Sequence, residues 1–152
     1  MCDKPYTSND KWTISIVSGL LFLVAASPYT YNLTNSVTKR FGLVIADAQG
    51  CPNLAGILVH GIIFVLLLRL MMEGKTKAHN CLKPYTSKDK WIVAMIGGLL
   101  FLLIGSPFLY EAVDSLTSSF GMKIADASGC PNLGGMILHS AVYMSVVRLL
   151  MR

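Results

Sequence analysis

Displaced so that Cys2 falls on Cys81, the chain aligns with itself from end to end without a gap. Cys2-Asp3-Lys4-Pro5-Tyr6-Thr7-Ser8 returns as Cys81-Leu82-Lys83-Pro84-Tyr85-Thr86-Ser87, and Asp10-Lys11-Trp12 returns as Asp89-Lys90-Trp91. Gly19 to Leu23 returns as Gly98 to Leu102, Ser27-Pro28 as Ser106-Pro107, and Phe41-Gly42 as Phe120-Gly121. Ile45 to Ala48 returns as Ile124 to Ala127, and Gly50-Cys51-Pro52-Asn53-Leu54 as Gly129 to Leu133. His60 returns as His139, and Arg69-Leu70 as Arg148-Leu149. About half of the aligned positions are identical, which marks a duplication. Whatever one copy folds into must be made twice and must pack beside its twin.

Each copy holds two long stretches without an Asp, Glu, Lys or Arg: 12–33 and 50–68 in the first, 91–110 and 129–147 in the second. About 20 residues of helix cross a hydrocarbon core of about 30 Å. The sequence therefore predicts an all-α, polytopic membrane protein with four spans, near 12–31, 53–72, 91–110 and 132–151. Repeat 1 covers 1–73, a polar linker 74–80 and repeat 2 81–152. A soluble bundle needs a polar face on every helix, and charged residues make up only 14% of this chain. A cleaved leader fits the first stretch poorly, because the same pattern recurs mid-chain.

Two spans per copy is an even number, so both copies enter the membrane from the same side. They are parallel repeats related by an axis along the membrane normal, and two helical hairpins packed as a pseudo-twofold bundle is the expected architecture. Ten of the thirteen Lys and Arg fall on the side of the termini and linker; only Lys39, Arg40 and Lys123 fall on the hairpin-loop side. The positive-inside rule places both termini in the cytosol. Beyond topology, the basic face offers a surface for anionic lipid, a capsid protein or another acidic membrane partner.

Within a copy, Thr7 to Asp10 and Thr86 to Asp89 have the spacing of a helix N-terminus. Trp12 and Trp91, with Lys11 and Lys90, follow at once as interfacial anchors, the lysines reaching outward to water or lipid phosphate. Pro28 and Pro107 kink or restart the first helix of each copy, with Ser27 as a cap. The segment from Asn32 to Phe41 is amphipathic, suits the membrane surface and ends at Gly42. Leu43 to Gly50 is too short and too polar to span, and Gly50-Cys51-Pro52-Asn53 turns the chain into the second helix.

Few side chains offer chemistry. His60 and His139 lie within the second spans, where ionisable groups are expensive and often functional. As a pair they suit a proton relay or a shared metal. A neutral imidazole hydrogen-bonded to a neighbouring helix is the simpler reading, because no carboxylate lies in any span to complete a relay. Cys51 and Cys130 stand at equivalent loop positions on the non-cytosolic side, either bonded to each other or as two free thiols. Cys2 and Cys81 fall on the reducing side and stay free. Asp47 and Asp126 are turn or cap residues. No nucleophile elbow, phosphate loop, metal-ligand helix or selectivity filter is present, so no enzymatic activity, cofactor, metal or nucleic-acid partner is expected.

The run Lys-Pro-Tyr-Thr-Ser-x-Asp-Lys-Trp, then Gly-Leu-Leu-Phe-Leu and Ser-Pro, then Gly-Cys-Pro-Asn and a His-containing helix ending Arg-Leu, resembles short tandem-repeat membrane proteins of large nucleocytoplasmic DNA viruses of algae and protists. The resemblance spans both copies. It implies a viral membrane protein, in the membrane beneath an icosahedral capsid or in a host endomembrane, and carries no activity or functional residue with it. The expected role is structural: organising the bilayer or tying it to a protein shell, with association into homo-oligomers open. The alternative is a small proton or cation channel or transporter built on His60 and His139.

Overall fold

The computed structural model describes residues 7–78 and 86–151. Cys2 and Cys81 lie outside them. Among the described residues there are six α-helices and no strand: α1 (Ser8–Ala25), α2 (Pro28–Thr38), α3 (Leu54–Ala78), α4 (Ser87–Ile104), α5 (Pro107–Thr117) and α6 (Leu133–Leu150). A 3-10 turn extends α2 over Lys39–Phe41 and α5 over Ser118–Phe120. Two isolated bridges, Ala46 with Pro52 and Ala125 with Pro131, close the loops ahead of α3 and α6.

The helix starts follow from local chemistry. Thr7 caps α1 and Thr86 caps α4, each in a reciprocal box with Asp10 or Asp89 at the third helical position, so two otherwise orphaned N–H donors are satisfied at each end. Ser27 and Ser106 cap α2 and α5, with Pro28 and Pro107 in the first turn, where a missing N–H costs nothing. The same prolines cannot extend α1 or α4. The spans expected over 12–31 and 91–110 are therefore broken, bending by 56° at Ser27-Pro28 and by 53° at Ser106-Pro107. By length and composition, Leu54–Glu73 and Leu133–Leu150 can each cross a membrane, and each bent pair can do so only when counted as one span. The described residues thus offer two to four candidate spans. Helix α3 also runs on to Ala78, through most of the expected linker.

The arrangement is compatible with helical hairpins, but the two long helices of a copy are not each other's main partners. The dominant contacts join α1 to α6 and α3 to α4, whereas α1 touches α3, and α4 touches α6, much less. Small residues decide this pairing. Gly19 of α1 faces α6, where an added Cβ would stand 3.1 Å from Met144 Cβ, and Ser140 Oγ donates to the Gly19 carbonyl at 2.7 Å. Gly98, the counterpart of Gly19, faces α3 and meets Val65, the counterpart of Met144. Backbones approach where side chains are absent, and in both copies the small side lies toward the other copy. Each first helix is thereby clasped by the second helix of its twin.

The centre of the bundle is aromatic. Phe22, Phe64, Phe101 and Tyr143, one from each long helix, are fully buried. Phe22 meets Phe101 edge-on at 5.4 Å, Phe22 stacks on Tyr143 at 5.0 Å, and Phe64 stacks on Phe101 at 4.7 Å. Both geometries suit the ring quadrupole. The outward faces carry Leu20, Val24, Leu58, Ile62, Leu99, Leu103 and Ile137, all exposed. An aromatic centre with apolar outward faces is compatible with helices that lie in a membrane.

Candidate functional site

The polar groups worth inspecting fall at three levels along the bundle: a basic corner at the start of α1 and α4, the histidines, and the loops before α3 and α6.

At the histidine level each imidazole is held by its own copy. His60 Nδ1 lies 2.8 Å from the Ala25 carbonyl oxygen, and His139 Nδ1 lies 2.7 Å from that of Ile104. A carbonyl only accepts, so Nδ1 carries the proton in both rings and Nε2 presents a lone pair. The carbonyls are those freed where Pro28 and Pro107 interrupt the helices, so each histidine occupies a break that its copy's proline creates. Tyr31 stacks on His60, and Tyr110 stacks on His139, with centroids 3.8 Å apart in each case. The two copies differ at Nε2. Thr34 Oγ1 stands 3.1 Å from His60 Nε2. Its counterpart is Val113, and His139 Nε2 is buried without a hydrogen-bond partner, as is the Tyr110 hydroxyl. The two histidines do not bond each other, so the expected intramembrane pair is two separate sites. Sequence reasoning did not connect Tyr31, Tyr110 or Thr34 with the histidines; the unlike pair Thr34 and Val113 in copies that share the histidine was the available signal.

At the loop level Cys51 and Cys130 form a disulfide, with Cα atoms 5.4 Å apart and a sequence separation of 79, the period of the duplication. Equivalent residues meet there, which requires the two loops to face each other. Each loop is rigid for a local reason. Asp47 Oδ1 accepts from the N–H groups of Gln49 and Cys51, and Asp126 Oδ1 from those of Ser128 and Cys130. The Ser128 hydroxyl and the Cys130 N–H hold the Asp126 carboxyl below the usual carboxylate range. Buried Asn35 of α2 binds the loop through Ile45 N–H and the Ala46 carbonyl, both at 2.9 Å. Asp114 takes its place in the second copy and accepts from Ile124 and Ala125 N–H. A carboxylate oxygen of Asp126 lies within 4.8 Å of both sulfurs, but sulfurs bonded to each other are not thiolate ligands.

At the basic corner the side chains depart from the anchors expected. Lys90 does not reach outward: it is 8% exposed, and its Nζ lies 3.0 Å from Glu73 Oε2. The Arg69 guanidinium, packed over the Trp91 ring, bonds the other Glu73 oxygen and reaches Ser87 Oγ at 3.2 Å. This bridge ties α3 to α4, and burial of an ammonium is tolerable there because it is paired. At the other corner Arg148 packs over Trp12 with its guanidinium carbon 5.4 Å from the ring centroid, and reaches Ser8 Oγ at 3.4 Å. Trp91 and Trp12 are each nearly half exposed, consistent with rings at a headgroup layer.

No protein-family model, curated protein or solved structure matches the chain.

Proposed function

We propose that the protein is a four-span structural membrane protein, a pseudo-twofold bundle of two parallel repeats that crosses the bilayer with both termini on the cytosolic side. The observation that carries this reading is the fully buried aromatic cluster of Phe22, Phe64, Phe101 and Tyr143 across the bundle centre. A conducting path needs a continuous polar or wettable stripe. Here the rings fill the axis, and each histidine spends Nδ1 on a backbone carbonyl of its own copy. Helices paired across the copies, with the loops joined through Cys51 and Cys130, make a rigid post suited to organising a bilayer or fastening it to a shell. The disulfide needs an oxidising side, which agrees with the loop side being non-cytosolic and the basic side cytosolic. The resemblance to viral membrane proteins favours the membrane beneath a capsid, with the basic face toward capsid or other membrane proteins.

A liposome flux assay tests this against the channel alternative. Purified protein should pass neither protons nor cations above empty vesicles, and a His60→Asn, His139→Asn double variant should behave the same. Flux that disappears in the double variant would replace the structural role with transport.

A further inference from the structure

The helices beyond the two bends, α2 and α5, each divide into three faces. One face is tied to the rest of the fold: Tyr31 and Asn35 are buried on α2 and Tyr110 on α5, while Asn35 and Asp114 bind the loops that follow. That anchoring decides which residues point away. Tyr29, Leu33, Val37 and Phe41, spaced four apart on one side of the helix, are all more than half exposed, with Tyr29 at 86% and Phe41 at 84%. At the equivalent positions of the second copy, Phe108 is 78% exposed, Leu116 68% and Phe120 83%, with half-buried Ala112 between them. Beside each apolar row runs an exposed polar one: Asn32 and Ser36, then Lys39 and Arg40, in the first copy, and Glu111 and Ser115, then Ser118 and Ser119, in the second. Adjoining apolar and polar rows on an outward face are the pattern of a helix lying in the plane of a membrane interface.

Continuity with the candidate spans says what covers the stripes. Ile16, Leu20 and Val24 of α1 are exposed at the same spacing and lead across the Ser27-Pro28 bend to Tyr29 and Leu33. Their counterparts Met95, Leu99 and Leu103 of α4 lead across the Ser106-Pro107 bend to Phe108. One apolar surface therefore runs from each candidate span onto the helix beyond its bend, and the same lipid covers both parts. Within a bent pair the first helix has 18 residues, about 27 Å of rise against a hydrocarbon core of about 30 Å. Most of the crossing is made before the bend, which leaves α2 and α5 at the far boundary. We infer that α2 and α5 are paired wedges seated in the loop-side leaflet, and that they make the protein sensitive to curvature, favouring membrane convex on the loop side. Helices lying in one interface add area to that leaflet alone. Among the described residues the other end of the bundle carries only the ends of α1, α3, α4 and α6. The choice of leaflet rests on the membrane-spanning reading above.

The test reconstitutes the full chain in vesicles of phosphatidylcholine and phosphatidylserine. Trp12→Phe and Trp91→Phe remove the native indoles, and Phe41→Trp or Phe120→Trp reports from each stripe. Fluorescence should be quenched by lipids brominated near the headgroup end of the acyl chain, and much less by lipids brominated near the terminal methyl or by aqueous iodide. In giant vesicles with the labelled chain oriented loop side outward, checked by protease protection, its density relative to lipid should rise about twofold or more in a tether pulled from the vesicle. Leu33→Ser, Val37→Ser and Leu116→Ser, combined, change only exposed positions and should abolish that enrichment while the Cys51–Cys130 disulfide and the helical content persist. Quenching of both reporters by iodide would overturn the proposal, and so would quenching by the deep bromines, which would carry the bent pairs fully across. Equal density on tether and vesicle would overturn the curvature sensitivity. Alkaline carbonate separates this from the spanning reading: a chain that it releases does not span, and shallow quenching in that chain would uphold the interfacial helices without the spans.

Discussion

Replacing Val113 with Thr should stabilise the protein, an unusual expectation for a polar substitution in an apolar helix bundle. The reason lies in the comparison of copies. His60 Nε2 has Thr34 Oγ1 at 3.1 Å, whereas His139 Nε2 is buried and unpartnered in the copy where Val113 is the counterpart of Thr34. An unmet buried acceptor costs about 1–3 kcal/mol, and interhelical hydrogen bonds in membrane proteins average about 0.6 kcal/mol with a maximum near about 1.7. Against this, a methyl becomes a hydroxyl, a loss bounded by about 0.8 kcal/mol for full burial, and Val113 is only half-buried. The net expectation is a gain of about 0.5–1 kcal/mol for Val113→Thr and a loss of similar size for Thr34→Val. The assay is reversible unfolding in mixed detergent micelles titrated with sodium dodecyl sulfate. The cycle is completed in a His139→Phe background, where Val113→Thr should lose its advantage and the coupling isolates the new bond. Nitrogen-15 shifts of His139 should move at Nε2 and not at Nδ1. A Val113→Thr protein no more stable than wild type, with zero coupling to position 139, would refute the assignment of Nε2 as an unmet acceptor.

Further expectations concern the other levels of the bundle. Tyr110→Phe removes a buried hydroxyl that has no partner and keeps the stack on His139, so micelle unfolding should show it to be neutral or stabilising. Phe22→Ala empties a fully buried ring position and should cost about 3–5 kcal/mol in the same assay. Cys51→Ser with Cys130→Ser opens a closure with a sequence separation of 79 and should cost about 2–4 kcal/mol, with faster hydrogen exchange confined to the two loops. Asp126 has a depressed folded pKa set by Ser128 and Cys130. Its contribution is therefore complete above the ordinary carboxylate value of about 4 and is lost as pH falls through the lower folded value. Amide exchange of Ser128 and Cys130 should rise only below about pH 4, and Asp126→Asn should flatten that dependence.

Signals carried within one turn of helix were legible in the chain. The Thr-x-x-Asp boxes, the Ser-Pro restarts and the glycine that ends the α2 segment each act through a donor, an acceptor or a permitted φ a few residues away. Gly42 at φ 79 is an instance. The apolar runs marked stretches long enough to be candidate spans, and the described residues are all-helical, with two to four such spans. The tertiary structure decided which helices pair. Whether α1 lies against α3 or α6 depends on which face of each helix carries glycine and serine and on what can fill that groove, a property of two surfaces rather than of either strand of sequence. The same holds for Lys90, which reads as an outward anchor until α3 brings Glu73 to within 3.0 Å. It holds also for Cys51 and Cys130, whose loops had to be brought face to face. The histidines stood out in the sequence, but their hydrogen bonds were fixed by the carbonyls that Pro28 and Pro107 set free and by the difference between Thr34 and Val113. Sequence specifies what each turn of backbone can satisfy locally; the groups left over are assigned only when packing shows what meets them.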